Sequence, residues 1–354
     1  MRDSVAVRLL LYGATGFTGR RVAEAVVQMG LNCSLAARDE SALRNLAGRL
    51  QVPWYAVDLA DSDALDELVR KHDLVLNASG PFHDTCIPVL EACLRSDSHY
   101  IDVSGELPSF ARALRYDQAA RERGVMLMPG AGFVVAPSDC LALHVSQQLP
   151  DATSLRLAFS QIGNFSRGTL RAMVNLAARE TTVTRHGHLT TVPVGRLERF
   201  FDFGQGPSRS SAVAWADVLT APRTAGYKNV EVYVEADSIR RVALQSGAWS
   251  AEMLQTTLGR QVSAFVSRWW PEGPSATALN GVERVIVAEA ETRDHRVWRS
   301  TLRLPDGYLV TPPIAVEIAS RVLQGQIQPG FQTPAGVYGT DLLNCIPNTR
   351  LADG

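Results

Sequence analysis

Lysine is nearly missing from this chain: Lys71 and Lys228 are the only two among 354 residues, so 33 of its 35 basic residues are arginine. Neither lysine has a tyrosine four positions before it, where Glu67 and Thr224 stand instead. That excludes the Tyr/Lys pair with which short-chain dehydrogenases move protons. An excess of charge is missing as well, with 35 basic residues against 36 acidic ones. No basic field is left for a nucleic acid or an anionic membrane. No apolar run approaches the roughly 18 residues of a membrane span. The opening Met1-Arg2-Asp3-Ser4 carries no signal-peptide core. The five cysteines (Cys33, Cys86, Cys93, Cys140 and Cys345) are odd in number and scattered, as expected of reduced thiols in a cytoplasmic protein. Metal-ligand spacing is also lacking. His186-Gly187-His188 is the one close histidine pair, no third ligand stands near it, and no metal is expected.

What is present begins at the N-terminus. The apolar run Val5–Tyr12 breaks into Gly13, Gly16 and Gly19, and Val22, Ala25, Val26 and Met29 then recur at helical spacing. That pattern is a buried strand, a tight glycine turn and a helix. Such a turn lets a pyrophosphate approach bare backbone, and the helix N-terminus offers unpaired N–H groups and a favourable dipole. Further short apolar runs at Cys33–Ala37, Trp54–Val57, Leu74–Asn77, His99–Val103 and Val125–Met128 alternate with helical patterns. The alternation predicts a doubly wound parallel α/β sheet over residues 1–130, a Rossmann domain.

After the Pro129–Pro137 linker the rhythm changes. Ser138–Leu149 reads as a helix capped by Ser138 or Asp139. Longer alternating strands follow at Leu155–Ser160, Arg199–Phe203, Val230–Val234, Val282–Glu291 and Val297–Leu304, the last two joined around Arg293-Asp294-His295. Helices are expected near Thr169–Arg179, Ser238–Ser246 and Ala315–Gln324, the last ending at Gly325. Residues 131–325 are therefore expected to form a second, α+β domain on a mostly antiparallel sheet. The tail, 326–354, keeps Phe331, Tyr338 and Leu342 and is expected to pack back on the first domain.

Strand two ends in Ala36-Ala37 and is followed by Arg38, with no carboxylate at the position that binds a ribose 2′-hydroxyl in NAD-selective domains. A guanidinium there favours a 2′-phosphate, and so NADP. The expected cofactor contacts are Gly13, Thr15, Gly16, Phe17, Thr18 and Gly19 of the turn and Arg38 after strand two. Asp58 and Leu59 follow strand three. Ala78, Ser79, Gly80, Pro81 and Phe82 follow strand four, and Ser104 and Gly105 follow strand five. All stand at strand C-terminal ends, where open parallel sheets bind ligands.

Several segments together resemble the saccharopine dehydrogenase-like oxidoreductases, a group that includes trans-acting enoyl reductases. They are Gly13–Gly19, Gly80-Pro81-Phe82, Tyr100–Glu106, Pro129–Phe133, Pro137-Ser138-Asp139 and Ser166–Thr169, with Trp215–Val218, Asn229–Tyr233 and Pro329–Ala335. The resemblance implies an NADP-binding domain and a second domain that supplies the substrate pocket and much of a homodimer contact. It also implies an aspartate after the Gly-Phe pair of the linker, where this chain has Val134.

The reaction expected is hydride transfer from NADPH to an activated C=C (enoyl) or C=N bond of a small or carrier-bound substrate. Asp217, Tyr227, Lys228 and Glu106 are the candidate proton donors. Two alternatives stay open: a non-catalytic NADP-binding sensor or scaffold, and a saccharopine-type amino-acid dehydrogenase. For the second, Arg156, Arg167 and Arg171 are available to carboxylates. A Cys140 nucleophile in semialdehyde chemistry is a third reading, set against a packed core thiol.

Overall fold

The computed structural model describes residues 8–160, 166, 167, 180–236 and 272–354. The chain divides into two compact units, Met1–Ala136 with Tyr308–Val337, and Pro137–Gly307 with Tyr338–Gly354.

The first unit is built on seven strands: β1 (Leu9–Tyr12), β2 (Cys33–Ala37), β3 (Trp54–Ala56), β4 (Leu74–Asn77), β5 (His99–Asp102), β6 (Met126–Met128) and β15 (Gly330–Phe331). They lie in the order β15-β6-β5-β4-β1-β2-β3, and every pairing is parallel. β1, β2 and β4 are buried at every position. Helices on both faces of a parallel sheet demand that, which is why these strands read as unbroken apolar runs. The helices between them are α1 (Phe17–Gln28), α2 (Glu40–Leu50), α3 (Ser62–Val69), α4 (Phe82–Ser96), α5 (Leu107–Ala113) and α6 (Asp117–Glu122). α2 and α3 begin at side-chain caps, Asp39 accepting from the Ala42 N–H and Asp61 from that of Ala64.

The second unit opens with α7 (Ala136–Gln148), most of which belongs to it. Its strands are β7 (Ser154–Phe159), β8 (Glu180–Arg185), β9 (His188–Pro193), β10 (Glu198–Asp202), β11 (Pro207–Ala212), β12 (Asn229–Glu235), β13 (Glu283–Glu291), β14 (Val297–Pro305) and β16 (Arg350–Asp353). Helices α8 (Asp217–Ala225) and α9 (Ala276–Leu279) stand among them. The sheet runs β10-β11-β12-β7-β13-β14-β16, with the β8–β9 hairpin joined at β12. Among the described strands of this sheet, only the β12–β7 pairing is parallel. Ala158, Phe201, Phe203, Ala212, Tyr233, Val285 and Val287 form a buried apolar cluster of this unit.

The division differs from the boundaries expected at 130 and 325. Helix α10 (Gly307–Leu323) starts eight residues before the expected Ala315, with Pro312 and Pro313 inside it. It packs into the first unit, where Thr311 Oγ1 accepts from the Phe133 N–H at 3.2 Å. The tail splits. β15 extends the first sheet and the Phe331 N–H donates to Asp117, whereas β16 pairs with β14 in the second unit. Between them α11 (Pro334–Tyr338) spans the boundary. Helix α7 begins at Ala136, so Ser138 and Asp139 are not caps but lie inside its first turn. The expected helices Thr169–Arg179 and Ser238–Ser246 lie outside the described residues.

Candidate active site

The strand order of the first unit reverses between β1 and β4, the switch point where such sheets bind ligands. Gly13 turns there at φ +84°, and a Cβ on it would lie 2.6 Å from the Ser79 backbone nitrogen. A Cβ on Gly19 would come within 2.1 Å of the Gly13 carbonyl oxygen, so this glycine seats α1 against the turn. Gly16 differs from both. It is exposed, its φ of −70° suits any residue, and a Cβ there would meet only the Gly13 oxygen, at 3.4 Å. Nothing in the fold of the described residues calls for a glycine here, whereas an approaching phosphate does. Gly16 is also the cap position of α1, where no side chain caps the helix. Thr15, Phe17 and Thr18 are half-buried around it. Arg20 donates to the Thr15 carbonyl at 2.7 Å, and the Arg21 guanidinium stacks over the Phe17 ring.

At the ends of β2 and β3, Arg38 is exposed. The acidic residue beside it, Asp39, has its carboxylate committed to the α2 cap. The place of Asp39 before an amphipathic helix is the local signal of that cap. Asp58 is exposed and Leu59 half-buried, and the Asp58 carboxylate accepts from the Ala60 N–H in a local turn. The Tyr12 hydroxyl donates to the Val57 carbonyl at 3.0 Å. Burial, with the nearby Asp58 charge second, pushes this phenol up to about 12.

The loops after β4 and β5 rest on a buried polar network. Asn77 Oδ1 accepts from the Ser79 N–H at 3.0 Å, and Thr85 Oγ1 donates to the Ser79 carbonyl. Asp102, fully buried, receives the Tyr100 hydroxyl, the Ser104 N–H and hydroxyl, and the Gly130 N–H. Burial raises its carboxyl above the ordinary value, against these donors. Ala78 is buried, Ser79, Pro81 and Phe82 are half-buried, and Gly80 is exposed before a cis Gly80–Pro81 bond. Val134 packs on Gly105, where a Cβ would come within 2.5 Å of Val134 Cγ1. Glu106 is buried, its carboxylate accepting from the Phe82 and His83 N–H groups.

The other three proton-donor candidates lie in the second unit and differ in access. Tyr227 is buried and donates to the Ala142 carbonyl at 3.3 Å, and burial raises its phenol far above the usual range. Asp217 is fully buried at the start of α8. One oxygen accepts from the Ser138 hydroxyl and the other has no hydrogen-bond partner among the described residues. Burial, opposed by the Ser138 hydrogen bond and aided by the Asp139 charge, pushes this carboxyl up to about 7. Asp139 in turn accepts from the Thr224 hydroxyl at 2.6 Å. Lys228 is exposed.

Arg156, expected to be available to a carboxylate, is committed to Glu291 at 2.6 Å and lies 3.6 Å from Glu231, in a cleft of about 200 Å³. Arg171 lies outside the described residues. Cys140 is a fully buried thiol that donates to the Gly339 carbonyl. His186 and Gly187 turn the β8–β9 hairpin at positive φ. Among the described residues no cluster of three ligands could hold a metal, and no helix is long and apolar enough to cross a membrane.

Residues 9–128 match the family model of the saccharopine dehydrogenase NADP binding domain. The saccharopine dehydrogenase-like oxidoreductase of Rattus norvegicus is 30% identical over 182 residues, covering 46% of this chain and 42% of that protein. The trans-acting enoyl reductase of Mycobacterium ulcerans is 27% identical over 158 residues, covering 42% of this chain and 38% of the relative. The chain thus spans about two fifths of the length of these curated relatives. Saccharopine dehydrogenase (L-Glu forming) from Saccharomyces cerevisiae matches with a TM-score of 0.63 over 98% of this chain and 100% of that one. At 14% identity this is a likeness of fold. Residues 9–128 are therefore an NADP-binding domain of the saccharopine dehydrogenase type, in a chain that resembles the saccharopine dehydrogenase-like oxidoreductases.

Proposed function

We propose that this protein is an NADPH-dependent reductase acting on an activated double bond, an enoyl C=C conjugated to a carbonyl in a small or carrier-bound substrate, with C=N as the other acceptor. The observation that carries the reading is Gly16, an exposed glycine at an uncapped helix start that no contact within the described residues explains. Gly13, Gly16 and Gly19 would admit the pyrophosphate, Arg38 would pair with the 2′-phosphate, and the loops Ala78–Phe82 and Ser104-Gly105 would border the nicotinamide half. When bound, NADPH supplies the hydride. The protein's share is to hold the acceptor in line, exclude water and deliver one proton. Lys228 is the first candidate for that proton, because Asp217 and Tyr227 are buried and Glu106 is held by backbone N–H groups. The relatives named as enoyl reductases favour the C=C acceptor. The reading expects a cytoplasmic homodimer, whose mass light scattering would give.

The test is to supply NADPH carrying deuterium at C4, with a panel of enoyl thioesters and cyclic imines. Loss of NADPH absorbance with deuterium in the product supports the reductase. Lys228→Met is expected to lower turnover by about a hundredfold or more while leaving NADPH affinity unchanged. Tight NADPH binding with no deuterium transfer to any acceptor would point to the sensor instead.

A further inference from the structure

The start of α4 lacks a cap of its own. Its cap position is Pro81, which has no side-chain oxygen, and no side chain of the preceding loop takes its place. The first N–H groups are satisfied from the next βα loop. Glu106 Oε1 accepts from the Phe82 N–H at 3.2 Å and Oε2 from the His83 N–H at 3.0 Å. His83 Nδ1 stands 3.5 Å from the same Oε2, and Arg112 of α5 donates to the His83 carbonyl at 2.6 Å. The Glu106–Arg112 segment thus grips the turn from Pro81 to His83 by its N–H and C=O groups together. A carboxylate suits this place because both its oxygens accept and its charge faces the positive end of a helix.

We propose that Glu106 is a positioning residue for the cofactor: it fixes the Ser79–Phe82 loop so that the nicotinamide half of NADP can seat beside it. This rests on the reading of that loop as a cofactor contact. Glu106 ties the C-terminal ends of β4 and β5, two neighbours in the sheet, into one surface of fixed spacing. Arg38 and the adenosine end lie across β1 and β2 and do not depend on that tie. Loss of the tie therefore affects one half of the dinucleotide and spares the other. A cap that only stabilised α4 would not make that distinction.

Titration calorimetry of the full chain with NADPH and with 2′,5′-ADP, a probe of the adenosine half alone, separates the two. In Glu106→Ala the NADPH affinity is expected to fall on the order of tenfold with 2′,5′-ADP unchanged. Glu106→Gln keeps one acceptor oxygen and is expected to recover much of the loss. Should the alanine variant fail to fold, the comparison of Glu106→Gln with wild type decides, with a selective loss of a few fold for NADPH expected. Unchanged NADPH affinity in the variants, or an equal loss for both ligands, overturns the proposal. A wild-type protein that binds neither ligand overturns the cofactor reading itself, which is seen before any variant is made.

Discussion

A Cβ at Gly19 would sit 2.1 Å from the Gly13 carbonyl oxygen, and one at Gly16 would sit 3.4 Å from it. Two glycines three residues apart thus answer to different demands, one internal and one external. Gly19→Ala forces backbone against backbone and is expected to destabilise the first unit by about 1–3 kcal/mol. Gly16→Ala meets no such obstacle, since its backbone is extended, and costs at most about 1 kcal/mol as a poorer cap. Its effect is expected on binding, with NADPH weakened on the order of tenfold or more. Denaturant melts and NADPH titrations on both variants check this. A Gly16→Ala protein that binds NADPH like wild type would remove the main support for phosphate at the turn. Glu106 shows what a residue type leaves out at this scale. A carboxylate after a strand end reads as an acid, and only its backbone partners show the cap.

Among the elements, the strands of the first unit were the most legible in the sequence, and Leu74–Asn77 falls where the apolar run predicts it. Burial on both faces leaves an unbroken apolar signature. β8, β9, β11 and β16 left no such mark: β9 and β16 are largely exposed, and β11 is Pro-Ser-Arg-Ser-Ser-Ala. Two residues of β15 held in register by β6 are too few for any periodicity. The site divided in the same way. The glycine turn and Arg38 are local patterns, whereas the Asp39 cap, the Glu106 clasp and the packing of Val134 on Gly105 depend on which loops become neighbours.

Helices α7 and α8 carry a prediction of their own. Burial raises the Asp217 carboxyl to about 7, well above the roughly 3.9 of an unfolded aspartate. The folded protein therefore holds a proton that the unfolded chain has lost across this interval. The stabilisation is full below about pH 4 and is lost as pH rises through about 7. Asp217→Asn keeps an acceptor for Ser138 without the buried charge. It is expected to be more stable than wild type at pH 8 by about 1–4 kcal/mol, with the gain shrinking toward pH 5. Denaturation midpoints at the two pH values measure it, and a gain that does not change with pH would contradict the assignment.

Across the whole molecule, the chain passes between units more than once. It leaves the first unit at Ala136, returns at Tyr308 and departs again after Val337. A boundary drawn from composition assigns Tyr308–Leu323 to its sequence neighbours, because nothing in that apolar, proline-bearing stretch says which unit it will join. The same crossing means that the NADP-binding domain draws on residues well beyond 9–128. Its strand β15 and the Thr311 hydroxyl that holds Phe133 both come from the late segment. In the function proposed, the Arg38 guanidinium, with Asp39 withdrawn into a cap, would select the 2′-phosphate. The most direct measurement is fluorescence titration of the full chain with NADPH and with NADH. Tighter binding of NADPH by about ten- to hundredfold, largely abolished by Arg38→Ala, is the predicted result. Equal affinity for the two nucleotides, or a preference that survives Arg38→Ala, would contradict it.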